Sequence, residues 1–262
     1  MNTRAECSKI VNSSDRSDKD KEAAVAHYRS ARKQDPNSAV ELAAAVYWKK
    51  CVKNSHSIIT DLFTGMFYTR TTCTECKTVS SAFEPFTSLS VETAPNGETT
   101  LEECLKDFSK EELLTDDNQY KCKQCDKKVD ATKRMFIWEQ PYVLIVHLKR
   151  FSYSNKSRRF NRATKTSSKV VFPMDNLNLE DNSSDIHKYS SSGNYSLKSV
   201  IDHQGSYGGG HYIAYCKNAV NDLWYRFNDS HITHIPNSDV EEEVITKDAY
   251  VLFYVQDEKI FI

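Results

Sequence analysis

The chain has 262 residues, 35 of them Lys or Arg and 36 Asp or Glu, for a formal net charge of −1. That balance excludes a general electrostatic attraction to nucleic acid or to an anionic membrane surface, and no window approaches the ~18 apolar residues of a spanning helix. The length accommodates one large domain or two small ones with a substantial core.

In chain order, the first residues (Met1-Asn2-Thr3-Arg4-Ala5-Glu6) lack the apolar run of a signal peptide, so a soluble intracellular protein is expected. Residues 1–37 are dominated by Ser, Asp, Lys, Arg and Asn, with a weak helical pattern over 23–31. They read as a poorly ordered or weakly helical leader. From Ser38 the composition changes. Val40, Leu42, Ala43, Ala44, Val46, Tyr47 and Trp48 predict a helix with a broad apolar face, and 57–63 a second, short one closed by Gly65. Residues 66–72 read as a strand running into a cysteine pair. Phe83, Phe86, Leu89 and Val91 are spaced like one or two strands interrupted by Pro85. Thr100-Leu101-Glu102-Glu103 is a capping-box signature, followed by the helical stripe of Leu101, Cys104, Leu105 and Phe108. Residues 134–140 read as a strand broken by Pro141, and 142–148 as a central, buried one. From 149 to 169 there are eight Lys or Arg and no acid, a pattern that fits either a docking surface or a solvated loop, the latter favoured by the balanced charge of the rest. Short apolar runs at 170–172 and 249–255 close the list, with a polar insert over 179–193 between them. The sum is an α+β domain, helices first and then mostly antiparallel strands.

Eight cysteines would suit disulfides or metal. Four of them form two C-x-x-C knuckles, Cys73-Thr74-Glu75-Cys76 and Cys122-Lys123-Gln124-Cys125. Each knuckle can turn two thiolates to one side, and together they make the closed tetrahedral set that Zn²⁺ takes in structural roles. A redox pair or plain buried thiols are the alternatives; the duplication and the charged surroundings favour structural zinc over both.

Four of the seven glycines fall between Gly205 and Gly210, immediately before His211 and a strand-like run, Tyr212-Ile213-Ala214-Tyr215. A second aromatic run, Trp224-Tyr225-Arg226-Phe227, ends in Asn228-Asp229. If the two runs pair as antiparallel neighbours, an amide or carboxylate comes close enough to orient the imidazole, which is the base-and-orienter half of a nucleophilic-catalysis site. The plainer alternative is a half-exposed histidine and a turn dipeptide.

Taken together, these stretches resemble the ubiquitin-specific protease family, cysteine-type deubiquitinases with a papain-like fold. Gly205-x-x-Gly208-Gly209-Gly210-His211-Tyr212-x-Ala214-Tyr215 with Trp224-x-x-Phe227-Asn228-Asp229-Ser230 looks like its histidine box. Val146-His147-Leu148-Lys149-Arg150-Phe151 resembles its central-strand motif and Ala249-Tyr250-Val251-Leu252-Phe253-Tyr254 its closing strand, while the knuckles match the zinc site of its fingers. The resemblance implies a partial catalytic domain over 38–256: remaining thumb helices at 38–65, zinc-clipped fingers at 66–140 and an antiparallel-sheet palm at 141–256. It implies a structural Zn²⁺ on Cys73, Cys76, Cys122 and Cys125, with His211 as general base, Asn228 as its orienter and Asp229 as an auxiliary polar residue. Gly208, Gly209, Gly210 and Tyr212 would border the channel for the ubiquitin tail. Ubiquitin or ubiquitinated proteins are the implied partners, without nucleic acid or membrane insertion. The wording of 107–112 and 147–153 is most similar to the branch associated with endosomal sorting, so the expected location is cytoplasmic, with endosome and nucleus as alternatives.

One departure stands out. The family's nucleophile lies in a Gly-Asn-Thr-Cys-Tyr-x-Asn box that also supplies the oxyanion donor, and no such string occurs in these residues. Most of the thumb would precede the point that matches Ser38. The expectation is therefore a largely missing thumb, no attacking thiol and an inactive chain. No other cysteine fits the role: Cys7 has no helix behind it, Cys51 and Cys104 lie on helical stretches, and Cys216 is an odd five positions from His211 on one strand. A non-catalytic ubiquitin-binding or interaction remnant is the alternative function, and a further chain supplying the missing wall is one candidate partner. A zinc-dependent nucleic-acid binder is disfavoured by the charge balance. Without that wall the palm should expose a large apolar face, and the chain should aggregate or need a partner unless the leader and first helix cover it.

Overall fold

A computed structural model of the chain describes residues 36–154, 162–186 and 193–257. The expected leader lies outside these residues, apart from its last two positions. They open helix α1 (Pro36–Ser55), whose proline stands in the first turn, where its missing N–H costs nothing. Ala44, with Val40, Tyr47 and Trp48 beside it, packs on Met66, Tyr68, Phe83, Phe136 and Trp138. Val46, placed on the apolar face by the sequence pattern, is half exposed instead. Helix α2 (Ile58–Phe63) starts at Ser57, whose hydroxyl accepts from Thr60 N at 3.1 Å. Its expected closure at Gly65 is corrected: Thr64 is the C-cap. Gly65 instead opens β1 (Gly65–Cys73), where a Cβ would meet the Phe86 ring at 2.5 Å and the Glu139 carbonyl at 2.7 Å.

Strands β1, β2 (Val79–Phe86), β5 (Glu112–Leu114) and β8 (Ala131–Glu139) form a four-stranded sheet in the order β2-β1-β8-β5. Pro85 lies inside β2, opposite Met66. It is tolerated because β2 is an edge strand, where a missing donor need not break a ladder. Strand β3 (Leu89–Glu92) follows after a two-residue gap, and β4 (Glu98–Thr100) leads into helix α3 (Leu101–Phe108). The expected capping box is complete: Thr100 Oγ1 accepts from Glu103 N at 3.2 Å and Glu103 Oε2 from Thr100 N at 3.1 Å. A small hairpin, β6 (Tyr120–Cys122) with β7 (Lys127–Val129), carries the second knuckle.

The larger sheet has seven strands in the order β16-β15-β14-β13-β17-β9-β3, with β9 (Val143–Lys149), β13 (Tyr195–Ser206), β14 (Gly209–Lys217), β15 (Trp224–Asn228), β16 (His231–Ile235) and β17 (Ala249–Gln256). Strand β9 is buried as expected, but second from an edge rather than central, since β3 pairs with it in parallel. The middle strand is β13, which no sequence pattern announced. Its register shifts against β17 between Leu197 and Ser199 and again between Ile201 and Asp202, and each shift resets the alternation that marks a strand. One face of this sheet, with Leu144, Val146, Leu252 and Tyr254, joins Leu101 and Leu105 of α3 and Val244 of α4 (Val240–Val244) in the main core. Burying one leucine side chain there contributes about 1.5–3 kcal/mol. A hairpin of β10 (Phe151–Ser154) and β11 (Arg162–Lys165), then β12 (Lys169–Val171) paired in parallel with β4, connects β9 to the middle of the sheet.

Candidate functional site

Strands β13 and β14 are joined by the two residues Tyr207 and Gly208. Of the four clustered glycines, only Gly205 holds a positive φ, at 121°. Gly205 pairs with Gly210 across the hairpin, and a Cβ on Gly205 would meet Gly209 O at 2.6 Å. A Cβ on Gly210 would meet the His203 ring at 2.3 Å, so these two glycines admit close backbone approach. Gly208 and Gly209 face open space.

His211 follows on β14 and is exposed. Strands β14 and β15 pair antiparallel, with Ala214 opposite Phe227 and Tyr215 opposite Arg226, which brings the end of β15 beside the start of β14. His211 Nε2 lies 2.6 Å from Asn228 Oδ1. A carboxamide oxygen is an acceptor only, so the ring donates Nε2–H, and the lone pair of the neutral ring lies on Nδ1. Asp229, with φ 52°, sits in the turn between β15 and β16, so the orienting bond belongs to Asn228.

The alternation along β14 sets the remaining geometry. His203 and Tyr212 are cross-strand partners, as are Gln204 and His211, so Tyr212 and His211 lie on opposite faces. Cys216 shares the face of Tyr212 and contacts Ser199 Oγ at 3.1 Å. Cys104 is buried on α3, where burial raises its thiol pKa, and Cys51 lies in the second half of α1. Among the described residues no cysteine sulfur is a hydrogen-bond partner of His211. Cys7 lies outside them.

The four knuckle cysteines converge, their sulfurs all within 4.8 Å of one another. Cys73 Sγ is 3.9 Å from Cys125 Sγ and Cys76 Sγ 3.6 Å from Cys122 Sγ. A tetrahedral Zn²⁺ with bonds of about 2.3 Å has sulfur–sulfur edges of roughly 3.8 Å, so the set fits that ion. Each knuckle is followed by a residue in the left-handed region, Lys77 at φ 58° and Asp126 at 52°, which turns the chain back over the sulfurs. Cys76 is drawn down to about 6, first by hydrogen bonding with the Thr78 hydroxyl. Cys125, hydrogen-bonded to Cys76 and desolvated, is pushed up to about 12.

The sequence pattern did not find the ties beneath the histidine hairpin. Arg150, read as part of a basic loop, is fully buried. It donates from Nε to Ala249 O at 2.5 Å and from Nη1 to Ser168 O at 2.7 Å. Lys165, from the same loop, pairs with Asp248 at 2.9 Å and donates to the His203 carbonyl, while Lys149 pairs with Glu92 at 2.9 Å. Among the described residues of this loop, Arg150 and Lys165 are thus fasteners; the signal available was their position toward the two ends of the charge run.

The fold and the site define the palm-and-fingers architecture of the ubiquitin-specific proteases, with a histidine and an asparagine on paired strands. The chain belongs to the ubiquitin carboxyl-terminal hydrolase family, whose family model matches residues 7–254. It is 37% identical over 209 residues to ubiquitin carboxyl-terminal hydrolase 2 of Gallus gallus, covering 79% of this chain and 55% of that one. The Homo sapiens protein of that name is also 37% identical over the same share of this chain, which covers 33% of it. The chain thus spans about half the length of the first relative or less of the others. Among solved structures, the SAGA Ubp8/Sgf11/Sus1/Sgf73 DUB module bound to ubiquitin aldehyde matches with a TM-score of 0.66 at 30% identity, over 79% of this chain and 44% of that one.

Proposed function

We propose that the chain forms the fingers and palm of a ubiquitin carboxyl-terminal hydrolase domain, with His211 as the general base and Asn228 as its orienter. The observation that carries this reading is the 2.6 Å bond between Nε2 and the Asn228 carboxamide, made in a chain of this family. With Nε2–H held there, the Nδ1 lone pair is the one that would take a thiol proton. Asp229 acts as an auxiliary polar residue at the same turn. Gly208, Gly209 and Gly210, with the exposed Tyr212, border the channel for the tail of ubiquitin; the open space around Gly208 and Gly209 supports this. Ubiquitin or a ubiquitinated protein is the partner, a reading supported by the ubiquitin-bound state of the similar solved module. Zn²⁺ on Cys73, Cys76, Cys122 and Cys125 clips the fingers, where the local cluster is small: Cys73, Cys122 and Val129, with Tyr120 and Cys125 packed against them. The ion supplies folding energy, not chemistry.

Cleavage needs a thiol within reach of Nδ1, and neither the sequence motif nor the described cysteines provide one. On this reading these residues bind ubiquitin and do not cleave, unless a thumb wall carrying the nucleophile is supplied. The test is a ubiquitin probe with a C-terminal thiol-reactive group. Binding without covalent labelling is expected; labelling that His211→Ala abolishes would show a working nucleophile and overturn the inactive reading. Failure to bind ubiquitin at all would overturn the assignment of partner.

A further inference from the structure

We propose that Lys165 is a positioning residue for His211, acting through the backbone of His203. Lys165 sits at the base of the β10–β11 hairpin, opposite Phe151, with its side chain only 8% exposed. Its ammonium group donates to the carbonyl of His203 and pairs with Asp248 Oδ1 at 2.9 Å. The amide of His203 in turn donates to the Asp248 carbonyl at 2.9 Å. Both backbone polar groups of His203 are therefore tied to the two residues of one partly buried ion pair. Asp248 registers the same arrangement: burial alone would raise its pKa, but the bonds from Lys165 and Lys247 outweigh that and lower it.

His203 is where this tie meets the site. Its ring lies under Gly210 and 4.8 Å from the Tyr212 ring. Its neighbour Gln204 is the cross-strand partner of His211. Phe151, paired with Lys165, packs at 5.4 Å from the His203 ring and 6.0 Å from that of Tyr207. The base of the β10–β11 hairpin thus holds the β13–β14 hairpin at its root, at His203 before the glycines and at Tyr207 among them. Beyond that root, the hydrogen bond to Asn228 is the one that orients the His211 ring among the described residues. A buried charge-assisted bond to a backbone carbonyl is among the stronger single ties available here. Its loss would release the root and let the imidazole sample orientations in which Nε2 no longer meets Asn228. The inference deepens the reading of His211 as base and rests on it.

The experiment uses the full chain with ¹⁵N-labelled histidine, with the His211 ring signals assigned from His211→Gln. In the parent chain, long-range proton–nitrogen spectra should show His211 as the Nε2–H tautomer. In Lys165→Met they should move toward the average of the two tautomers, and amide exchange over 205–212 should rise about tenfold or more while that of β9 and β17 stays unchanged. Unaltered His211 signals in a folded Lys165→Met chain would overturn the proposal, as would exchange that rises evenly over the whole sheet, since that is a merely structural effect. Should the Met variant not fold, Lys165→Gln, which keeps a donor without the charge, is judged by the same two criteria, and Lys165→Arg should restore the parent spectrum wherever it folds. The ubiquitin-probe result stands apart from this readout, so failure of the hydrolase reading and failure of the clamp are distinguishable.

Discussion

Asp202 lies on β13 with its carboxyl sealed from solvent; Oδ2 accepts from Thr246 Oγ1 at 2.7 Å and Oδ1 has no hydrogen-bond partner among the described residues. Burial raises its pKa to about 6, against the pull of the Thr246 bond. The folded state therefore holds a proton that the unfolded chain has already released near pH 4, and stability falls as pH rises between those values. Above about pH 6 the ionised group costs roughly 2–3 kcal/mol relative to the protonated one. Asp202→Asn, whose amide oxygen can still accept from Thr246, should raise stability at pH 7.5 by about 1–2 kcal/mol. It should also flatten the decline between pH 4 and 6, as read from urea melts at both ends. At the two knuckles, Lys77 and Asp126 hold left-handed backbone that glycine adopts more readily. Replacing either by Gly should stabilise the zinc-loaded chain by about 0.5–1 kcal/mol, measured as a shift in melting midpoint.

With Zn²⁺ on the four cysteines as proposed, the knuckle hairpins would depend on the metal more than on packing. Only Cys73, Cys122 and Val129 are buried in their local cluster. Chelating the metal, or Cys122→Ser, should unfold this part while β9, β13 and β17 keep their amide protection; hydrogen exchange resolved by segment checks this. Thiols must lose protons to bind, and Cys125 holds its proton up to about 12 in the metal-free cluster. Affinity should therefore drop by about two orders or more between pH 7.5 and 5.5 in chelator competition. Elements such as these were legible because their chemistry is local: the knuckle spacing, the capping box at Thr100, and the aromatic runs that became β14 and β15. The His211–Asn228 bond followed from those two runs once they were taken as neighbours. The misses are long-range. Two register shifts hide β13, Pro85 marks an edge rather than an end, and nothing near Lys165 in the chain points to His203, 38 residues on.

The molecule as a whole presents two large sheets with different cover. Helix α1 lies over the aromatic face of the four-stranded sheet. On the seven-stranded sheet, the face away from the main core carries Ile145, Ile201, Ala214, Val251 and Phe253, all half-buried, and Phe227 and Ile232 stand exposed. A face of that composition favours association, so light scattering should show concentration-dependent growth that a bound partner suppresses. A cooperative, monomeric melt across that range would overturn this. The direction of such growth is set by a residue that looked like an interruption. Pro85 leaves β2 short of one donor along the rim it offers to a neighbouring chain, so lateral strand addition is discouraged there. β16, an edge of the seven-stranded sheet, has no proline between His231 and Ile235. Strand addition should therefore favour β16 over β2, and a single charge placed at Thr233 should reduce it.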